Sequence, residues 1–126
     1  MKRDKPGKED VSPALCDWCG AVISAGAELY SMALDSSVIH ASNPRFDGRR
    51  FLTACTHEHL AALDEHYRRR PFVDEELWAG KIARVMDSTT EPLTLADLVD
   101  ATGLSREQVE RSMAWLEAQI HRLRHR

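Results

Sequence analysis

Three cysteines and a histidine carry the clearest chemistry in this chain. Cys16-Asp17-Trp18-Cys19-Gly20 is a C-x2-C turn closed by glycine, and Cys55-Thr56-His57-Glu58-His59 brings a second group of donors much later. A tetrahedral zinc ion wants four N or S ligands. The turn lets two thiolates converge on one ion, and the start of a helix lets a second pair project from one turn. In a helix His59, four residues after Cys55, lies about 40° from it in azimuth, whereas His57 falls on roughly the opposite face. Glu58 is within reach, but a carboxylate is the less usual companion of three thiolates, and His40 is more remote. The expected shell is therefore Cys16, Cys19, Cys55 and His59 around a structural Zn2+, with His57 and Glu58 as alternatives for the fourth place.

Catalysis by such a site would need an open coordination position and a base. The protease motif H-E-x-x-H would need a histidine at position 61, where Ala61 stands. Four protein ligands activate no water, so the chain is not expected to be an enzyme.

The elements that must hold these donors can be read around them. Residues 1–14 form a charged tail without apolar periodicity and are expected to be disordered. Short β-prone pieces lie at 29–34, 38–40 and 51–54, separated by Asp35-Ser36-Ser37, Asn43-Pro44 and Asp47-Gly48 as turns. A helix starts near Thr56, turns Leu60 and Leu63 inward, and ends in Arg68-Arg69-Arg70 before Pro71. Residues 15–70 thus form a zinc-binding domain with a β-hairpin and a helix.

After Pro71 the pattern is helical throughout. Asp74 to Met86 carries the stripe Leu77, Trp78, Ile82, Val85 and Met86. Thr94 with Asp97 announces a second helix that Gly103 closes, and Ser105 with Gln108 opens a third. The third has apolar positions at Val109, Met113, Leu116, Ile120 and Leu123, stepping by four, three, four and three. Residues 71–126 form an all-α domain, and the whole chain is α+β.

Two resemblances follow from these residues. The C-x2-C-G knuckle, the hairpin region and the Cys55-x3-His59 pair opening a helix make residues 15–68 resemble a treble-clef zinc finger, in which a knuckle and a helix N-terminus share one ion. Treble clefs serve nucleic-acid binding, protein binding and catalysis alike. The run Leu93 to Val109, with Thr102-Gly103-Leu104-Ser105 between two helices, makes residues 73–120 resemble the helix-turn-helix of bacterial transcription regulators, here without a β-hairpin wing. That resemblance implies double-stranded DNA as partner, with the helix from Ser105 in the major groove and Ser105, Arg106, Gln108 and Arg111 as its contacting residues.

Charge sets a limit on this expectation. The chain has 17 Lys and Arg against 20 Asp and Glu, a net charge of -3, so a DNA interface must collect its cations locally, from Arg45, Arg49, Arg50, Arg68 to Arg70 and the C-terminal arginines. A zinc-stabilised protein-interaction module is the alternative. The four-three repeat of the last helix also suits a homodimer. No run of about 20 apolar residues is present to cross a bilayer, the N-terminus lacks the apolar stretch of a secretory signal, and an odd number of cysteines fits a reducing compartment. The expected location is the cytoplasm, and the Ala- and Arg-rich usage suggests a bacterial source.

Overall fold

The computed structural model describes residues 13–124. It shows a mixed α+β chain of four helices and two small two-stranded sheets. Among the described residues two compact units are formed, one of residues 13–33 and 51–69, the other of residues 34–50 and 70–124.

In the first unit β1 (Ala14–Leu15) pairs antiparallel with β2 (Val22–Ile23), Ala14 opposite Ile23 and Leu15 opposite Val22. β3 (Leu29–Leu34) pairs with β4 (Arg49–Ala54), and α1 (His57–Arg69) follows β4 directly. Cys16, Ile23, Leu52, Ala54 and Leu63 are buried together, with Leu60 and Tyr67 packed against them. Five buried residues, two of them Cys and Ala, make a small core, and units of this size usually need a further staple.

The second unit is built on α2 (Asp74–Asp87), α3 (Leu95–Thr102) and α4 (Arg106–Arg124), each packed on the other two. Ile82, Leu98, Leu104 and Val109 are its buried core. Thr94 and Asp97 form a complete capping box at the start of α3. Gly103 adopts φ 77° after α3, a left-handed cap that glycine takes without the Cβ penalty and that turns the chain into α4.

The loop between β3 and β4 belongs to this unit. Asp47 takes both guanidinium nitrogens of Arg84 on α2 at 2.7 and 2.8 Å, and Arg84 also donates to the His40 carbonyl. Ser36 accepts from the Val73 amide at 3.0 Å and donates to Glu76 at 2.6 Å, so it serves the start of α2, where Val73 makes no side-chain cap of its own. Asp35, with no exposed side-chain surface, binds Arg50 at 2.8 Å and Arg70 at 2.6 Å and accepts from the amide and hydroxyl of Ser37.

Several expectations change accordingly. Val38 to His40 is not a strand; its loop is fixed by Gly48 donating to the Val38 carbonyl and by the His40 ring at 2.9 Å from the Arg49 carbonyl. β4 starts two residues earlier than expected, and the two-residue strands β1 and β2 lie below what alternation can detect. Of the tail expected to be disordered, residues 1–12 lie outside the described residues, while Ala14 is in β1. Residues 34–50, counted with the zinc-binding domain on sequence, group with the helices.

Candidate metal centre

The knuckle is shaped by its own backbone. Gly20, at φ 79°, donates to the Cys16 carbonyl at 2.8 Å, and the Cys16 amide donates to the Ala21 carbonyl at 2.9 Å. Positive φ at Gly20 closes the turn tightly enough for both sulfurs to face one point. Asp17 then fastens this turn to β4: its amide donates to the Thr53 carbonyl at 2.9 Å, and its carboxylate accepts from the Thr53 amide at 2.8 Å. Two residues past Thr53 stands Cys55. Thr56 caps α1, its hydroxyl accepting from the His59 amide at 3.1 Å, and its carbonyl accepts from Leu60 at 3.0 Å. The cap fixes the first turn, from which His59 projects.

These supports bring Cys16, Cys19, Cys55 and His59 together, with one donor atom from each lying within 4.8 Å of all the others. The Sγ atoms of Cys19 and Cys55 are 3.7 Å apart, and His59 Nδ1 lies 3.2 Å from Cys55 Sγ and 3.8 Å from Cys16 Sγ. A tetrahedral ion with metal–sulfur bonds of about 2.3 Å and a metal–nitrogen bond of about 2.05 Å needs edges of roughly 3.8 Å between sulfurs and 3.6 Å from sulfur to nitrogen. These three separations lie within about 0.4 Å of such edges, all six fall within 4.8 Å, and His59 presents Nδ1. The donor set is consistent with a metal site.

The electrostatics agree with the geometry. Burial raises the Cys16 thiol, but hydrogen bonds with the backbone of Cys19, Cys55 and Trp18 and with the His59 ring outweigh it and bring the group down to about 6. Cys55 is pushed up to about 11, first by burial and then by the sulfurs of Cys19 and Cys16. One thiol ionises easily and its neighbour then resists, because negative charges are crowded in one place. A cation at the centre would relieve that repulsion.

Of the alternative ligands, His57 and Glu58 are exposed and outside the cluster. His40 is engaged in the other unit. Sequence reasoning did not find Asp17, although an acidic residue inside a C-x2-C turn is a place to look for a backbone-fastening contact. It also passed over the Asp35 hub.

The residues expected to meet DNA lie at the start of α4. Ser105 accepts from the Gln108 amide at 3.1 Å, and the Gln108 side-chain oxygen accepts from the Ser105 amide at 2.8 Å, so Gln108 is occupied by the cap. Arg106 is exposed and stands 3.4 Å from Glu110. Arg111 binds Glu75 of α2 at 2.5 Å and lies 5.2 Å over the Trp78 ring. Some of the arginines expected to add cations are also engaged: Arg50 and Arg70 with Asp35, Arg68 and Arg69 with Glu65.

No helix among the described residues is long and apolar enough to cross a membrane. Compared with models of known protein families, with curated proteins and with solved structures, the chain finds no match.

Proposed function

We propose that this chain is a zinc-stabilised DNA-binding protein of the bacterial-regulator kind, in which a treble-clef-like unit supplies a structural metal site and α4 enters the major groove. Zinc is the ion of choice because three thiolates and an imidazole suit its borderline-soft character and tetrahedral habit. Four protein ligands leave no position for a reacting water, which supports a structural and non-enzymatic role.

The observation that carries the DNA reading is the two-sided start of α4. Val109 and Ser112 are buried against the other helices, while Ser105, Arg106, Glu107, Glu110 and Arg111 face outward immediately after a tight left-handed turn. A helix-turn-helix presents its second helix to base edges in this way. Met113, Ile120 and Leu123, exposed along the same helix, support association of two copies, which sedimentation analysis tests.

A second reading is favoured by specific contacts. With Gln108 held in its cap, Arg111 bound to Glu75, and two acidic residues on the outward face, the surface of α4 also suits a protein partner of mixed charge.

Selection from a pool of random duplexes at near-physiological salt separates the two. Enrichment of a defined sequence, with affinity lost on Arg106→Ala, supports DNA binding; Arg106 is the better probe because Arg111→Ala also removes a contact to α2. The absence of both enrichment and salt-dependent retention would leave the protein-interaction reading.

A further inference from the structure

The four metal donors differ sharply in access. Cys16 is 3 % exposed, whereas Cys19 is exposed and Cys55 half-buried. The two accessible sulfurs are also neighbours, 3.7 Å apart. They sit on different segments, the knuckle and the end of β4, so joining them links two parts of the unit that the metal site otherwise holds together.

We propose that the centre is a peroxide-responsive switch in which Cys19 and Cys55 form a disulfide and the metal site is dismantled. This rests on the zinc reading above. Cys19, the thiolate that solvent reaches, attacks one oxygen of hydrogen peroxide; an S–O bond forms, the O–O bond breaks, and hydroxide leaves and is protonated to water. The Cys55 sulfur, held as a thiolate while it is a metal ligand, then attacks the Cys19 sulfenic acid, forming the S–S bond and breaking the S–O bond, with a second water released. Two sulfurs have lost two electrons in total, and the peroxide has gained them. The Sγ atoms must close from 3.7 Å to about 2.05 Å, a movement open to the exposed knuckle residue. Cys16 and His59 alone are too few to retain the ion. Burial keeps Cys16 reduced, so the disulfide is specific, and a thiol reductant restores the full donor set.

The test uses the full chain. Metal content is measured first; a chain that neither contains nor takes up one zinc per molecule overturns the zinc reading and the switch with it. The loaded protein is then treated with hydrogen peroxide, released zinc is followed with a metallochromic dye, and thiols are mapped by mass spectrometry after non-reducing digestion. The expected result is release of about one zinc per chain, a Cys19–Cys55 linkage with Cys16 still alkylatable, and zinc uptake regained after reduction. Retained zinc with intact thiols, or a linkage through Cys16, overturns the switch while leaving the zinc reading standing. Cys19→His keeps four donors without the exposed thiolate and is expected to slow release about tenfold or more; should that variant fail to load zinc, the linkage mapped in the unaltered protein decides.

Discussion

Replacing Asp35 by Asn is expected to destabilise the helical unit by about 3 kcal/mol. The carboxylate has no exposed surface and holds two guanidinium groups, those of Arg50 and Arg70, whose side chains are 36 % and 39 % exposed. Removing one partner of a buried ion pair costs roughly 3–5 kcal/mol. The lower end applies, because both arginines can recover water once released. The titration of Asp35 gives a second estimate. Burial works to raise it, but hydrogen bonds from Ser37 and the guanidinium groups of Arg50 and Arg70 bring it from 3.8 down to about 2, a difference worth about 2–3 kcal/mol. A depressed carboxylate stabilises fully above its unfolded value near 3.8, and that stability drains away as pH falls toward 2. Trp78 and Trp115 both belong to this unit, so urea unfolding followed by tryptophan fluorescence from pH 7 to pH 2 provides the assay. The Asn variant should lose about 3 kcal/mol at pH 7 and show a flatter decline between pH 4 and 2. A variant within 1 kcal/mol of the parent at pH 7, or one declining in parallel with it in acid, would refute the assignment of Asp35 as the hub of the loop.

Three further outcomes are expected. Stripping the proposed metal with a chelator, or replacing His59 by Ala, should unfold the first unit while leaving most of the helical circular dichroism of α2 to α4, since the first unit's core is five residues; a His59→Ala protein that stays folded and metal-loaded would exclude this ligand. Gly80→Ala should destabilise by about 1–3 kcal/mol, although alanine is otherwise the better helix former by about 1 kcal/mol, because its Cβ would sit 2.5 Å from Cγ1 and 2.9 Å from Cδ1 of Ile39; thermal melts of the single and the Gly80→Ala/Ile39→Ala double variant should show rescue of the clash. Thr94→Ala removes one half of the capping box of α3 and should cost about 1 kcal/mol in urea unfolding, with no change in metal content.

The parts of the structure legible in the sequence are those with local signals. Thr94, Asp97 and Gly103 mark α3 to the residue because a cap acts on the turn beside it, and Pro71 separates α1 from α2 because proline resists the helix interior. Cys16, Cys19, Cys55 and His59 were legible through spacing, since a tetrahedral shell restricts where its donors can stand. The Asp35 hub was not. Its partners Arg50 and Arg70 are 15 and 35 residues away, and in the sequence an Asp followed by two serines has the look of an ordinary turn. Arg70 shows the same gap from the other side. In a run of three arginines it reads as surface charge, yet it differs from Arg68 and Arg69 by facing a buried carboxylate.

The loop between β3 and β4 has a consequence for dividing the molecule. A cut at Pro71, where composition changes, separates α2 from Asp47, Ser36 and Ile39. The released helical fragment would carry Arg84 without its carboxylate, an α2 whose Val73 amide has lost its acceptor, and Gly80 with nothing over it. The chain leaves the first unit at residue 34, returns at 51 and leaves again at 70. Inheritance of the helical unit as a detachable cassette would therefore require residues 34–50 to travel with it, so recombination that shuffles contiguous segments cannot move one unit and leave the other whole.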